Sequence, residues 1–207
     1  LVHELANPLN VIGLSIGGLK EGQVIDEKTK RRLLNSSEKA KAIIQNIRTM
    51  QSVTDQKKER VRISIPLQNL VKDEIEFFEK IIQEKNVELV CNLEAVILVS
   101  DPNLIKNQIL ANLISNAIKF THPGGKIYLR TYENKNQAIF EIKDEGIGIP
   151  PEILIKLFDF KEQTSRQGTQ GEKGTGYGMP IVKSIIEDLG GRIECESSVD
   201  VSNSGTL

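Results

Sequence analysis

Leu5, Leu9, Ile12, Ile16 and Leu19 recur at 4-3-4-3 spacing, and a seam of that period is buried by laying one helix against another. A second apolar stripe, Leu33, Ala40, Ile43, Ile44, Ile47 and Met50, runs through roughly Glu27 to Val53. The short stretch Gly22–Asp26 between them reads as a loop, so the two stripes predict an antiparallel helical hairpin. Such a hairpin has too little bulk to enclose both stripes. Pairing with a second copy, through helices over 1–21 and 27–55, would bury them in a dimeric four-helix bundle.

The texture changes at Gln56. Residues 56–59 open a charged linker, and beyond it strand-like and helix-like runs interleave. Arg60–Ile65, Val87–Cys91 and Val96–Val99 alternate as strands, and Leu67–Lys85 has helical period. Asp101 can cap a helix with Pro102 in its first turn, running to about Phe120. Lys126–Tyr132 and Gln137–Lys143 predict a hairpin around Glu133–Asn136. Lys161–Lys173 is polar, rich in Gly and Gln, and reads as a mobile loop. A helix from about Met179 to Leu189 and a strand from Arg192 complete the pattern. The expected fold is α+β: a helical hairpin over 1–55, a linker over 56–59, and a two-layer α/β sandwich over 60–207.

Composition removes several function classes. A net charge of -1 gives no general pull toward nucleic acid or anionic membranes. The absence of Trp and an aromatic content of 4% weigh against base-stacking modules. No apolar run approaches the roughly 18 residues of a membrane helix, and no signal-peptide pattern is present. The chain starts without Met, inside a helical pattern, and is expected to be a cytoplasmic piece of a longer protein with no membrane contact of its own. Cys91 and Cys195 are far apart, form no CxxC pattern and are expected as buried free thiols in strands.

Two glycine-rich segments carry the first chemical signal. Asp144-Glu-Gly-Ile-Gly148 follows a predicted strand, and Gly174-Thr-Gly-Tyr-Gly178 precedes a predicted helix. Either could be a turn that needs positive φ. The second, however, has alternating glycines that let backbone N–H groups approach a phosphate, and the positive end of the next helix adds to that attraction. Pro180 suits the first turn of that helix. The spacing is neither that of a Walker A loop nor that of a dinucleotide fingerprint.

The helix Asp101–Phe120 carries one narrow polar stripe: Gln108, Asn112, Asn116 and Lys119. This stripe could simply face solvent. Yet Asn is a poor helix former, and two on one face call for a reason. An Asn carbonyl suits Mg²⁺ in a site that also holds phosphates, and a lysine one turn on can neutralise phosphate charge.

Taken together, these segments resemble the ATP-binding domain shared by histidine kinases, gyrase-type ATPases and their relatives. Asn112-Leu-Ile-Ser-Asn116-Ala-Ile-Lys119-Phe120-Thr is similar to that family's N-box, and Asp144-Glu-Gly146-Ile-Gly148 to its first glycine box. Leu157-Phe158-Asp-Phe160 is similar to its phenylalanine motif, Gly174-Thr175-Gly176-Tyr177-Gly178 to its second glycine box, and Gly205-Thr206-Leu to its last box. The resemblance implies an ATP and Mg²⁺ site. Asp144 would accept a hydrogen bond from the adenine amino group, with Gly146 and Gly148 beside it and Thr206 assisting through water. Asn116 would coordinate Mg²⁺, supported by Asn112. Lys119 would touch the phosphates, and Phe120 and Phe158 would serve the nucleotide site. Gly174, Gly176 and Gly178, with Thr175 and Tyr177 between them, would hold the phosphate chain under a lid over 161–173.

Val2-His3-Glu4-Leu5-Ala6-Asn7-Pro8-Leu9 is the other strong signal. Back-extrapolating the seam puts His3 about 100° from Val2, with Asn7 one turn on along the same face. Pro8 removes the bond to the Glu4 carbonyl. A lone histidine there could be an exposed residue beside a helix irregularity, but HExxNPL ahead of an ATP-binding domain resembles the H-box of dimeric histidine kinases. That resemblance implies autophosphorylation of His3 and phosphotransfer to an aspartate of a response-regulator receiver domain. Neutral imidazole is a suitable nucleophile near physiological pH. Glu4 would assist as base or hydrogen-bond partner. Glu4 and Asn7 would also place a water that dephosphorylates the partner. His122, in His-Pro-Gly-Gly, reads as a turn residue.

Other readings compete. An ATPase of the gyrase or chaperone type would start its N-box with a glutamate base, and Asn112 cannot act as one. A serine kinase acting on an anti-sigma partner would not need the His3 hairpin, and a dimeric nucleotide-sensing scaffold would transfer no phosphate. The chain departs from the family in two ways. Tyr177 and Met179-Pro180 replace a common leucine-leucine-alanine, and the first helix starts only two residues before His3.

Overall fold

The apolar seam at the start of the chain forms helix α1 (Val2–Gly17), although Pro8 sits inside it. A computed structural model describes residues 2–19, 25–37, 40, 44, 61–160, 162, 164–172, 174, 176–200 and 204–207, without the side chains of 2–5. A second helix, α2, covers residues 27–37. Asp26 starts it by accepting from the Thr29 N–H at 2.7 Å and the Thr29 hydroxyl at 3.0 Å. The rest of the second stripe as far as Val53, the connecting loop over 20–24 and the linker over 56–59 lie outside the described residues, apart from Ala40 and Ile44. Contacts divide the chain into two units, Leu1–Gln56 and Lys57–Leu207.

In the second unit, β1 (Ile63–Pro66) leads directly into α3 (Leu67–Glu84) and pairs antiparallel with β3 (Ile97–Ser100). Asp101 then accepts from the N–H groups of Asn103 and Leu104 at 2.8 and 3.3 Å, and Pro102 takes the first helical position, as the sequence predicts. The stretch that follows is not uniform. A short α4 (Pro102–Leu104) passes into a π turn over Ile105–Leu110 and then into α5 (Ala111–Phe120). The periodicity did not reveal this π segment, because i+5 pairing adds one residue to a turn without breaking an apolar run.

Among the described residues, the main sheet has five strands: β2 (Glu88–Leu93), β4 (Lys126–Asn134), β5 (Gln137–Asp144), β6 (Ser197–Ser198) and β7 (Gly205–Thr206), in the order β2-β4-β5-β7-β6. β2 runs parallel to β4, and the remaining pairs are antiparallel. The β4–β5 hairpin turns through Lys135 and Asn136, both at positive φ, a two-residue turn that matches strand twist. Ile127, Leu129 and Thr131 alternate inward on β4 and are fully buried. They meet a core of Leu110, Ile114, Ala117 and Ile118 from the helical layer, with Val182 and Ile185 from α7 (Gly178–Asp188). The result is an α+β unit with one sheet face covered by helices.

Two expectations need correction, and one short helix was not foreseen. The strand expected from Arg192 is confined to β6 (Ser197–Ser198), which pairs with β7 (Gly205–Thr206). Hydrogen bonds between Glu196 and Leu207 extend that pairing, but the residues before it follow no ladder. Cys91 lies in β2 as expected yet is exposed: its register with Leu129 puts it on the helical face, but β2 is the edge strand of the sheet among the described residues. A short helix, α6 (Pro151–Leu154), starts at Pro150-Pro151 where no period is visible.

Candidate functional site

Asp144 ends β5 (Gln137–Asp144) at the open end of the sheet and is 7% exposed. Its Oδ1 accepts from the Gly146 N–H at 2.9 Å, and the Thr206 N–H donates to it from the neighbouring strand β7. Burial raises its pKa to about 6, even though those two N–H groups and Arg166 pull the other way. A carboxylate kept charged at such a cost is a strong acceptor for an incoming donor.

Glycines clear the space around it. A Cβ on Gly146 would strike the Phe120 carbonyl and stand 2.7 Å from Asp144 Oδ1. Gly148 has φ +62 and touches the Ser198 carbonyl where a Cβ would go. Gly148→Ala is therefore expected to cost about 1–3 kcal/mol of stability, read from the urea midpoint. An unchanged midpoint would contradict this placement of the loop.

The N-box residues lie on α5 and separate into two kinds. Asn112 Nδ2 donates to the Gln108 carbonyl at 2.6 Å, where the pairing changes from i+5 to i+4. Its Oδ1 is turned to Gly178, where a Cβ would come within 2.8 Å. Asn112 thus packs the N-box against the start of α7. Asn116 is half-buried and has no hydrogen-bond partner among the described residues, so its amide remains available to a ligand.

The far end of α5 is positively charged. Lys119 Nζ lies 4.5 Å over the Phe120 ring and donates to the Arg166 carbonyl at 3.0 Å. A Cβ on Gly174 would meet that ammonium at 2.8 Å, so Lys119 stands beside the second glycine box. Burial lowers the Lys119 pKa, with Arg166 and Lys85 adding to the effect and Glu172 opposing it. A negatively charged ligand would relieve this repulsion. The Phe120 carbonyl accepts from the Ile147 N–H at 3.1 Å, tying α5 to the first glycine box.

Gly176 has φ +81, and Tyr177 is buried at the N-cap of α7. The Phe158 ring centre lies 5.7 Å from Lys183 Nζ on α7. The Thr206 hydroxyl is within 2.9 Å of Ser197 Oγ. His3, Glu4 and Asn7 fall in the first two turns of α1, and Asn7 is exposed. The side chains of His3 and Glu4, and Thr175 as a whole, lie outside the described residues. His122 is exposed in a turn closed by the Gly125 N–H on its carbonyl.

Sequence reasoning missed several neighbours of the site. Arg166 places its guanidinium 5.1 Å from the Phe120 ring centre and feels the charge of Asp144. Ser165 donates to the Gly174 carbonyl at 2.6 Å. Ser197 Oγ accepts from the Ile149 N–H at 2.8 Å and donates to the Gly205 carbonyl at 2.6 Å, joining the first and last boxes. None of these belongs to a local pattern. Only the clustering of Ser and Thr near the glycine segments hinted at them.

The site joins a buried acceptor, Asp144, to the Lys119 ammonium beside the second glycine box, with Arg166 over Phe120 and near enough to feel the Asp144 charge, and with glycines clearing space at both boxes. This suits a ligand with a donor-bearing base and a polyphosphate. Among the described residues no group of three His, Cys, Asp or Glu could hold a metal, so a divalent ion here would take most of its ligands from phosphate oxygens.

Comparison with known proteins agrees with this geometry. Residues 100–206 match the model of the family described as Histidine kinase-, DNA gyrase B-, and HSP90-like ATPase. Sensor protein KdpD of Clostridium acetobutylicum is 32% identical over 197 residues, covering 93% of this chain and 22% of that protein. The chain therefore spans less than a quarter of that relative. The structure of Acinetobacter baumannii histidine kinase AdeS is similar with a TM-score of 0.76 and 25% identity, covering 99% of this chain and 93% of that one. Histidine kinase ThkA, solved in complex with response regulator protein TrrA, shares the fold with a TM-score of 0.70 at 24% identity, over 99% of this chain and 57% of that one.

Proposed function

The chain belongs to the histidine kinase-, DNA gyrase B- and HSP90-like ATPase family, and from that premise we propose that it binds ATP at the Asp144 site and transfers the γ-phosphoryl group to His3. The observation that carries the reading is the combination of a buried acceptor, Asp144, with Lys119 beside the second glycine box and Arg166 over Phe120.

Asp144 would accept from the adenine amino group while the Gly146 and Thr206 N–H groups hold the carboxylate in place. Phe120 offers an apolar face beside it. Gly174, Gly176 and Gly178, with Thr175 and Tyr177, would carry the phosphates to the start of α7, since the first turn of a helix has no intrahelical acceptors for its N–H groups. Asn116 would hold Mg²⁺ with Asn112 behind it. When bound, that ion would neutralise phosphate charge. Lys119 would offset charge at the transferring group. Phe158 and its neighbours would shape the edge of the site.

His3 would attack the γ-phosphorus through one imidazole nitrogen as the bond to the ADP oxygen breaks. Glu4 would take the proton from the other nitrogen. The phosphorylated His3 would then serve an aspartate on a response-regulator receiver domain. The ThkA–TrrA complex supports that class of partner. Glu4 and Asn7 would orient a water for the reverse task, dephosphorylating the regulator. The proposed division of labour is a phosphoacceptor hairpin over 1–55, a linker over 56–59 and a catalytic domain over 60–207. The seam residues Leu9 and Ile16 are 50% and 55% exposed in the single chain, surplus apolar surface that a second copy would bury in a four-helix bundle.

The decisive test incubates the protein with Mg²⁺ and γ-labelled ATP. A protein-bound label that survives base and is lost in acid is expected. Phosphate release without a protein-bound label would point instead to the ATPase reading.

The Asp144 titration supplies a second check. Affinity for ATP should fall as pH drops through about 6, because protonation removes the acceptor. Calorimetric titration at pH 5 and pH 7.5 would read it. Equal affinities at both would mean that the adenine amino group does not bond there.

A further inference from the structure

Lys85 follows α3 as its C-cap residue, yet its side chain is only 2% exposed. An ammonium has three donors, and each finds an acceptor here. Nζ donates to the Ile118 carbonyl at 2.7 Å, the Lys119 carbonyl at 2.9 Å and Glu172 Oε1 at 2.8 Å. The first two acceptors are among the last carbonyls of α5, which have no donor one turn further along the helix. The third belongs to the loop over 164–172.

Glu172 organises that loop. Its carbonyl accepts from the Gly168 N–H at 2.8 Å, and its Oε2 accepts from the Gln170 N–H at 2.8 Å. Thr169 returns to α5 through its N–H on the Lys119 carbonyl at 3.1 Å, and its hydroxyl bonds the Thr121 carbonyl at 2.8 Å. From this root the chain leads back to Arg166 over Phe120 and to Ser165 on the Gly174 carbonyl. One buried ammonium therefore fastens the helix end that carries Lys119 to the loop that carries Arg166.

We propose that Lys85 and Glu172 are positioning residues for the polyphosphate end of the nucleotide. Their ion pair sets the distance between Lys119 on α5 and the Arg166 and Gly174 segments of the loop. The proposal rests on the nucleotide reading above and adds a requirement to it. Stability alone is a weak reason for such a pair, since apolar residues of similar volume commonly serve a fold as well as a buried ion pair does. Geometry is the better reason. The pair joins two segments far apart in sequence at the point where both supply positive charge to the site.

The test compares wild type with Glu172→Gln and Lys85→Met in NMR titrations with ATP, ADP and adenosine. Glu172 is 35% exposed, so Glu172→Gln keeps the fold even if Lys85→Met does not. ATP and ADP affinity should fall roughly tenfold in Glu172→Gln, with adenosine affinity unchanged within about twofold. Glu172→Asp should recover part of the loss. Variants that bind ATP and ADP like wild type, even with a lowered urea midpoint, would make the pair a structural staple and overturn the proposal. Equal losses for adenosine and ATP would also overturn it, because the effect would then not be confined to the phosphate end. Wild type that binds neither adenosine nor ATP would instead remove the nucleotide reading itself, and this inference with it.

Discussion

Asp144→Asn will weaken ATP binding by about 30- to 150-fold and at the same time make the unliganded protein more stable at pH 7. The first half follows from chemistry at the acceptor. A carboxylate only accepts, whereas an amide presents an NH₂ that opposes the adenine amino group. Losing a hydrogen bond to a charged group costs about 2–3 kcal/mol, which gives the stated range. The second half follows from linkage. The Asp144 pKa is raised from 3.8 to about 6, chiefly by burial. Above pH 6 both folded and unfolded chains are ionised there, and the folded state bears the cost of a buried charge, on the order of 3 kcal/mol. Below pH 3.8 both are neutral and the cost is gone. Stability from this group therefore falls as pH rises between those values. Asn carries no charge and avoids the cost. Urea unfolding of the two proteins should show a higher midpoint for Asp144→Asn at pH 7, with the gap closing toward pH 4. A variant that bound ATP normally would sink the adenine assignment. One that was less stable at pH 7 would show that the N–H bonds to the carboxylate outweigh its burial.

His3→Gln will abolish acid-labile labelling and leave ATP affinity within about twofold of wild type. The chain has two histidines, His3 and His122, so the acceptor can be assigned by elimination. His122 is exposed in a turn at the end of α5, and its carbonyl rather than its ring holds that turn. His122→Gln should therefore keep the label and serve as the control. Glutamine retains polarity and comparable bulk but offers no nucleophilic nitrogen. Label that persisted in His3→Gln and vanished in His122→Gln would move the phosphoacceptor off the hairpin. Loss of both label and ATP binding in His3→Gln would mean that the two sites do not function separately.

Much of the site was legible because its parts are local. The glycines, the Asn112–Asn116 pair with Lys119, and Asp144 at a strand end each sit in a short segment, and the resemblance of those segments to a known family's boxes is what implies their roles. The Asp101 cap and the β4–β5 hairpin were legible for the same reason, since caps and two-residue turns are decided by a few adjacent side chains. The π turn over Ile105–Leu110 escaped notice because an apolar run reads the same under i+4 or i+5 pairing. The final strand was over-extended because alternation from Arg192 suggests pairing, while among the described residues the partner runs only from Gly205 to Leu207.

By itself the sequence determined the order of chemical parts: an HExxNP helix, an asparagine stripe, and glycine segments placed after a strand and before a helix. The helices and turns follow from periodicity and from what glycine, proline and asparagine permit, and the chemical reading of the segments follows from their resemblance to a known family. Tertiary structure alone decided which of the two asparagines has no hydrogen-bond partner among the described residues, which cations stand by Phe120, and how strongly Asp144 resists ionisation. Lys85 and Glu172 are 87 residues apart and meet at 2.8 Å. No local pattern encodes such a meeting, because burial and long-range contact depend on which surfaces the whole chain brings together.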